Sequence, residues 1–367
     1  MKLLISAGEA SGDQRGAEVL AALKRIHPGH LEAFGLGGGR LAGEGMNVTH
    51  HLRDYAVMGF GEILLSLGKF LQLEKELKAL CIREKPDCIL LVDYPGFNMR
   101  LGRWAKKKGI PVVHYVAPQM WAWGAWRVRK LRKSTDILLT LFAFEEPFFR
   151  ARGVNAVFTG HPLRKQIPPQ IAKGESLGLL PGSRAQEVEK LLPAMLQTFI
   201  LLRDKGIVDK ALLAVSDHLE RDVYREAENT VGVELIEGTR EVLAGSKAAL
   251  VCSGTATLET ALCGVPFVVC YKTSGFTYTI ARHLVKGIKK IGLANIIAGE
   301  EVAPELIQKD VTPINMQNLL EPLFTDNTVA ETARKKLELV RNSLGDGDPA
   351  ENAAVEIIRY LEVTDES

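Results

Sequence analysis

Short apolar runs alternate from the first residues onward with longer stretches whose apolar positions recur at helical spacing. That alternation predicts βαβ units built around parallel sheets. Lys2–Ser6 reads as the first strand, and Ala17, Leu20, Ala21 and Leu23 share one face of a helix over about 14–26, ended by Pro28-Gly29. A strand follows at about 31–36. A long helix is then predicted over roughly 59–83, with Phe60, Ile63, Leu64, Leu67, Phe70 and Leu71 on its apolar face and a Lys/Glu-rich second half. Cys88–Val92, Val112–Val116 and Ile137–Leu141 read as buried strands.

The rhythm breaks at Lys165–Gln170, where Pro168 and Pro169 remove donors and disfavour helix before them. A domain boundary is expected here, giving a first domain over 1–167 and a second over 168–349. Beyond it the alternation resumes: Ser176–Leu180, a helix over 186–205, Ala211–Val215, a helix over 218–228, Val233–Ile236, Lys247–Cys252, a helix over 255–263, and Pro266–Tyr271. A final amphipathic helix, about 350–362, carries Ala353, Ala354, Ile357, Ile358 and Leu361 on one face. It can pack back on the first domain or on a second copy, so a homodimer is one possibility.

Length agrees with two domains, since 367 residues exceed the roughly 250–300 at which one core stops growing. A net charge of +2 argues against duplex nucleic acid as a partner. The five cysteines are odd in number and contain no Cys-x-x-Cys pair, so neither a disulfide framework nor a zinc ribbon is expected. The first apolar run is too short for a secretory h-region and no segment approaches the ~20 apolar residues of a membrane span. A cytoplasmic location with at most peripheral membrane contact is expected.

Three Gly-rich turns each follow a predicted strand, the place where open α/β sheets bind ligands. In the first, Gly8-Glu9-Ala10-Ser11-Gly12-Asp13, the glycines admit close backbone approach while Glu9, Ser11 and Asp13 present acceptors and a hydroxyl. It reads equally as a plain strand-to-helix turn capped by Ser11 or Asp13. In the second, Leu180–Glu187, helix-start amides and Arg184 suit a diphosphate; the alternative is a capped helix with an exposed arginine. In the third, Cys252–Glu259, amides near Ser253, Gly254 and Thr255 suit phosphate oxygens and Glu259 suits ribose hydroxyls, or else Ser253 is a cap and Glu259 offsets the helix dipole. No P-loop, dinucleotide fingerprint, His-Glu-x-x-His or Gly-x-Ser-x-Gly occurs, which removes support for nucleoside triphosphatase, simple dehydrogenase, zinc peptidase and α/β-hydrolase chemistry.

Taken in order, Gly8–Asp13, His114–Trp123, Gly160-His161-Pro162-Leu163, Leu180–Arg184 with Glu187, Ser253–Glu259 and Asn295–Gly299 closely resemble the lipid-A-disaccharide synthase family, across most of the chain. The resemblance implies a GT-B glycosyltransferase: two Rossmann-like, doubly wound parallel-sheet domains facing a cleft, with no metal or other cofactor. It implies UDP-2,3-diacylglucosamine as donor, 2,3-diacylglucosamine 1-phosphate as acceptor, and inversion at the anomeric carbon. Arg184, Glu187, Ser253, Gly254, Thr255, Glu259 and Asn295 then belong to the donor site, and Ser11, Gly12 and His161 to the acceptor site. His161 reads equally as a hinge-supporting histidine. The alternatives are another GT-B UDP-N-acetylglucosamine transferase or 2-epimerase, or a sugar-nucleotide-binding protein with weakened catalysis.

One departure bears on catalysis. The family's usual Asp-x-Pro-Asp-Phe-Asn is here Asp93-Tyr94-Pro95-Gly96-Phe97-Asn98, so Gly96 replaces the second acid. Asp93 is left as the nearest candidate base, with Glu9 or Asp13 of the facing loop as alternatives. Acylated substrates also call for surface contact with the bilayer, because each CH₂ is worth ~0.8 kcal/mol of burial. Two stretches suit it: Met58, Phe60, Ile63, Leu64 and Leu67 on the long helix, and Trp121, Trp123 and Trp126 followed by Arg127, Arg129, Lys130, Arg132 and Lys133.

Overall fold

A computed structural model describes all residues except 56–62, 123, 169–173, 274–289 and 366–367, and gives only the backbone of 63–67 and 364–365. The chain forms two compact units: Met1–Pro162 with Gly345–Ser367, and Leu163–Leu344. The crossings lie at 162/163 and 344/345, five residues ahead of the expected boundary, because Leu163–Gln166 forms a helical turn of the second unit.

In the first unit the elements run β1 (Lys2–Ala7), α1 (Ala10–Ile26), β2 (Glu32–Gly37), α2 (Gly39–Gly43), β3 (Asn47–His51), α3 (Ile63–Glu84), β4 (Cys88–Val92), α4 (Pro95–Lys107), β5 (Val112–Tyr115), α5 (Val128–Arg132), β6 (Ile137–Thr140), α6 (Glu145–Arg150) and β7 (Ala156–Phe158). All pairings are parallel, in the order β3-β2-β1-β4-β5-β6-β7. The order reverses direction between β1 and β4. Both faces of the sheet are covered, so β4 is buried along its whole length, as the unbroken apolar run Cys88–Val92 requires.

The second unit runs α7 (Leu163–Gln166), β8 (Ser176–Leu180), α8 (Ala185–Asp204), β9 (Ala211–Val215), α9 (Arg225–Glu228), β10 (Val233–Glu237), α10 (Thr239–Ala244), β11 (Ser246–Cys252), α11 (Thr255–Leu262), β12 (Phe267–Tyr271), α12 (Leu293–Ala298), β13 (Glu305–Ile307), α13 (Pro313–Thr325) and α14 (Asn327–Asn342). Its parallel sheet has the order β10-β9-β8-β11-β12-β13, with the reversal between β8 and β11. The helix expected over 218–228 is instead a 3-10 turn at Arg221–Tyr224 followed by α9.

The last helix, α15 (Pro349–Asp365), returns to the first unit and packs on α1. Ala350, Ala353, Ala354 and Ile357 join Ala17, Leu20, Leu23 and the β1 side chains in one buried cluster. Its apolar face is thereby occupied within the chain, which removes the sequence argument for a dimer contact through this helix.

Candidate active site

In a doubly wound sheet, ligands bind beyond the carboxyl ends of the strands where the order reverses, since the flanking loops part there. In the first unit that point lies between the β1–α1 turn, which carries Glu9, and the end of β4, which carries Asp93. Gly8 sits under the Tyr94 ring so tightly that a Cβ would fall 2.4 Å from Tyr94 Cδ1. Only glycine lets β1 end beneath this ring.

Asp93 and Tyr94 both occupy the left-handed region, with φ of 50° and 49°, and Val116 at the end of neighbouring β5 has φ 73°. Such conformations cost of order 1–3 kcal/mol each and persist where surrounding structure over-determines them. Asn98 supplies much of that determination. Fully buried, its Nδ2 donates to the Asp93 carbonyl (2.8 Å), the Val92 carbonyl (3.3 Å) and the Ser6 carbonyl (3.2 Å), while its Oδ1 accepts from Ser6 Oγ (2.7 Å). Asn98 therefore ties the strained turn to β1. Its tertiary partners gave this role no signal in sequence beyond its place in the Asp93–Asn98 run.

Asp93 is half-buried, and burial raises its carboxyl above the usual range, partly countered by the Tyr94 amide and the Arg15 cation. Glu9 is also raised, first by desolvation and then by the neighbouring Asp93 charge. The Asp93 charge is thus felt by Glu9 at the switch point. Asp13 does something else: Oδ1 accepts from the Gly38 (2.6 Å) and Leu41 (3.3 Å) amides and Oδ2 from Arg40 (2.9 Å). It is buried and committed to holding the β2–α2 turn, so it is no free base. Glu9, not Ser11 or Asp13, occupies the N-cap of α1, and it makes no side-chain cap. Ser11 is exposed on the first turn, and Gly12 packs against Val92, where a Cβ would lie 3.4 Å from the carbonyl oxygen. Gly96 is the second residue of α4, exposed, with nothing within 4 Å of a would-be Cβ. The place of the missing acid is open.

His161 is buried and stacked on Phe142 with ring centroids 5.0 Å apart. Burial, aided by the Arg15 charge, lowers its pKa to about 3. A neutral ring cannot offer charge to a phosphate, so the supporting role is the one its environment fits. Trp121 likewise turns inward: Nε1 donates to Glu145 (2.9 Å) and the indole meets Phe144 edge-on. Glu145 is 2% exposed, and burial pushes it up to about 7 although Trp121 and the Phe142 and Leu141 amides oppose the rise. Among the described residues of this stretch the aromatic presented to solvent is Trp126, 70% exposed, with Lys130 Nζ 5.7 Å from its ring. Met58, Phe60 and Trp123, and the side chains of Ile63, Leu64 and Leu67, lie outside the described residues.

In the second unit the reversal brings the β8–α8 turn beside the end of β11. Gly182 has φ 116°, and a Cβ there would lie 2.5 Å from Glu187 Oε2. Glu187 reaches back to the Ser183 (3.2 Å) and Arg184 (3.3 Å) amides and pairs with Arg184 Nη1 (3.0 Å). It shapes the turn and aims the guanidinium; the Arg184 side chain itself is 82% exposed and available to an anion. Gly254, φ 151°, opens α11, and no side chain caps the amides of its first turn. Ser253 Oγ donates to the Ile291 carbonyl (3.0 Å), so its hydroxyl serves the loop. Thr255 is exposed at the start of α11. Glu259, on the next turn, is half-buried and raised by desolvation against the pull of Arg240; among the described residues its carboxylate makes no hydrogen bond. Asn295 differs from expectation. Fully buried, it donates to the Ala303 carbonyl (2.7 Å) and Glu305 Oε1 (2.7 Å) and accepts from the Val302 (2.8 Å) and Ala303 (3.0 Å) amides. Its amide has no capacity left for a ligand.

Two doubly wound sheets, one with acids and the other with glycines and an arginine at its switch point, belong to the GT-B class of sugar-nucleotide proteins. Solved structures agree in fold: the UDP-GlcNAc 2-epimerase of Methanocaldococcus jannaschii has a TM-score of 0.60 at 13% identity, covering 98% of this chain and 100% of that one. The calicheamicin glycosyltransferase CalG4 scores 0.61 at 15% identity, covering 99% and 98%. Residues 3–357 match the lipid-A-disaccharide synthetase family. The lipid-A-disaccharide synthase of Anaeromyxobacter sp. (strain K) is 40% identical over 98% of this chain and 97% of its own length, and that of Syntrophus aciditrophicus is 38% identical over 99% and 98%. The chain belongs to the lipid-A-disaccharide synthetase family and is a glycosyltransferase of lipid A biosynthesis. The epimerase alternative is set aside.

Proposed function

We propose that the chain transfers 2,3-diacylglucosamine from UDP to the 6-hydroxyl of 2,3-diacylglucosamine 1-phosphate, with Asp93 as base. The observation that carries this reading is the half-buried Asp93 carboxylate at the switch point of the first sheet, on a strained turn held by Asn98. As the acceptor oxygen bonds to the anomeric carbon, Asp93 takes its proton, the bond to the UDP oxygen breaks, and UDP departs with the electron pair. Attack opposite the leaving group inverts the centre. Glu9, raised and beside Asp93, is the second acid of the site.

The departing diphosphate is negative, and the groups suited to it are Arg184 and the first amides of α11 after Gly254. Glu259, half-buried and with a carboxylate that bonds none of the described residues, suits a ribose hydroxyl. These groups supply the charge stabilisation without a metal, so EDTA should leave turnover unchanged; loss restored by a divalent cation would refute that part. Asp93→Asn should abolish transfer while sparing UDP affinity. Retained turnover would move the base to Glu9.

The protein is further proposed to work at the inner face of the cytoplasmic membrane as a peripheral enzyme. No helix among the described residues is long and apolar enough to cross a membrane. Exposed Trp126 with Lys130 against it is a suitable surface anchor. Co-sedimentation with anionic vesicles should weaken on Trp126→Ala; unchanged pelleting would exclude this anchor.

A further inference from the structure

Four rings that follow the carboxyl ends of β5, β6 and β7 are linked in one run of contacts. His161 stacks on Phe142 with centroids 5.0 Å apart, Phe142 stacks on Phe144 at 5.7 Å with the planes 7° apart, and Trp121 meets Phe144 edge-on at 4.9 Å. The run is closed at one end and open at the other: His161 and Phe142 are buried, whereas Phe144 and Trp121 are half-buried. Glu145 fixes the open end. One of its carboxylate oxygens accepts from Trp121 Nε1 (2.9 Å), and the other from the Leu141 (3.3 Å) and Phe142 (3.2 Å) amides. The carboxylate is thereby committed to the protein, and so is the indole N–H, the one polar atom of the two outer rings. What Phe144 and Trp121 can offer a ligand is carbon.

Hydrogen bonds tie these rings to the rim that carries the base. The Asp93 amide donates to the Tyr115 carbonyl (2.9 Å) at the end of β5, and the next residue, Val116, donates to the Leu139 carbonyl (3.1 Å) of β6, on which Phe142 and Phe144 directly follow. β4 and β6 flank β5, so at the ordinary strand spacing their ends lie about 10 Å apart. A fatty acyl substituent spans that distance.

We propose that Phe144 and Trp121 are specificity-determining residues for the acceptor, packing against one of its acyl chains while its 6-hydroxyl lies at Asp93. The inference rests on the reading of the acceptor as an acylated glucosamine. A sugar ring laid on the same surface would bring hydroxyls that need partners, and Glu145 has its oxygens engaged, so an apolar chain is the occupant the rings fit. The acceptor, rather than the donor, is assigned here because its hydroxyl must reach Asp93 in this unit, whereas the donor diphosphate is drawn to Arg184 in the other.

The test is kcat/KM for the full chain with dissolved acceptors of increasing acyl length, below their micelle-forming concentrations and at one fixed donor. Each methylene that lies against the rings should raise the unaltered protein's kcat/KM by up to about fourfold. In Phe144→Ala the ratio between long and short acceptors should shrink, through KM more than kcat, and Phe144→Leu, which keeps apolar area, should recover it. An equal loss at every chain length, as a purely structural ring would give, overturns the proposal. So does an unchanged ratio, or a ratio that shrinks only when the donor chains are varied. A ratio that changes with vesicle-borne acceptor and not with dissolved acceptor also overturns it, placing the rings against the bilayer. Should melting curves show Phe144→Ala to be unfolded, Trp121→Ala carries the same measurement on the other ring. If the unaltered chain transfers to these acceptors and the ratio survives in both variants, this inference alone fails. If it transfers to none of them, the underlying reading fails instead.

Discussion

The two switch points share one topology and are built from opposite materials. In the first unit two acids stand beside a turn whose residues, Asp93 and Tyr94, adopt a left-handed backbone despite their side chains. In the second, Gly182 and Gly254 take the left-handed or glycine-only conformations and Arg184 supplies the charge. The difference follows from what each site must present. In the proposed reaction the base is a side chain, aimed at the cost of backbone strain in the first unit, whereas the diphosphate would be held by bare amides, which glycine exposes in the second.

That contrast can be broken most severely at Asn98. Asn98→Ala strips the Asp93 carbonyl and Ser6 hydroxyl of a buried partner and releases the strained turn. About 2–4 kcal/mol of stability should be lost, visible as a lower denaturation midpoint. Turnover should fall more than UDP affinity; equal losses would mean that the turn does not serve the base.

Two glycines with equal room sharpen the comparison. Neither Gly254 nor Gly96 has any atom within 4 Å of a would-be Cβ, yet Gly254 has φ 151° while Gly96 lies in ordinary helical backbone. Gly254→Ala should therefore cost about 1–3 kcal/mol and weaken UDP binding. Gly96→Ala should instead stabilise, by up to about 1 kcal/mol, because the helix loses its most entropic residue. Thermal melts that move in the same direction would refute the backbone argument. Gly96→Asp restores the family's second acid at a helix N-terminus, where a carboxylate adds about 0.3–1 kcal/mol, and its effect on turnover reports how far Asp93 acts alone.

A smaller effect is expected at Glu145. Its folded value of about 7 exceeds the ordinary 4.5, so its contribution to stability is fully present below about 4.5 and is lost as pH rises through 7. Glu145→Gln should flatten that part of the stability–pH curve; an unchanged slope would mean that the carboxyl titrates normally.

Much of the architecture was legible because buried parallel strands read as unbroken apolar runs: Cys88–Val92, Ser176–Leu180 and Ala211–Val215 coincide with β4, β8 and β9. The elements missed lack that mark. β3 is a polar edge strand, Asn-Val-Thr-His-His, β7 and β13 have three residues each, and α4 begins at Pro95 inside a segment that read as a motif loop. α13 and α14 followed no strand signal and went unassigned. In the site, the acid and glycine positions were visible as residue types. What those residues do was not, because it depends on distant partners: Asp13 is consumed by amides 25 to 28 positions away, and Asn295 by the turn at 302–305.

The packing of α15 on α1 also orders events during synthesis. The second unit is one uninterrupted stretch, Leu163–Leu344, whose core can close as soon as that stretch has left the ribosome. The first unit is translated earlier but finishes later, since Ala353, Ala354 and Ile357 must emerge before α1 is covered. Until then α1, which carries Arg15 and follows Glu9, has an uncovered apolar flank.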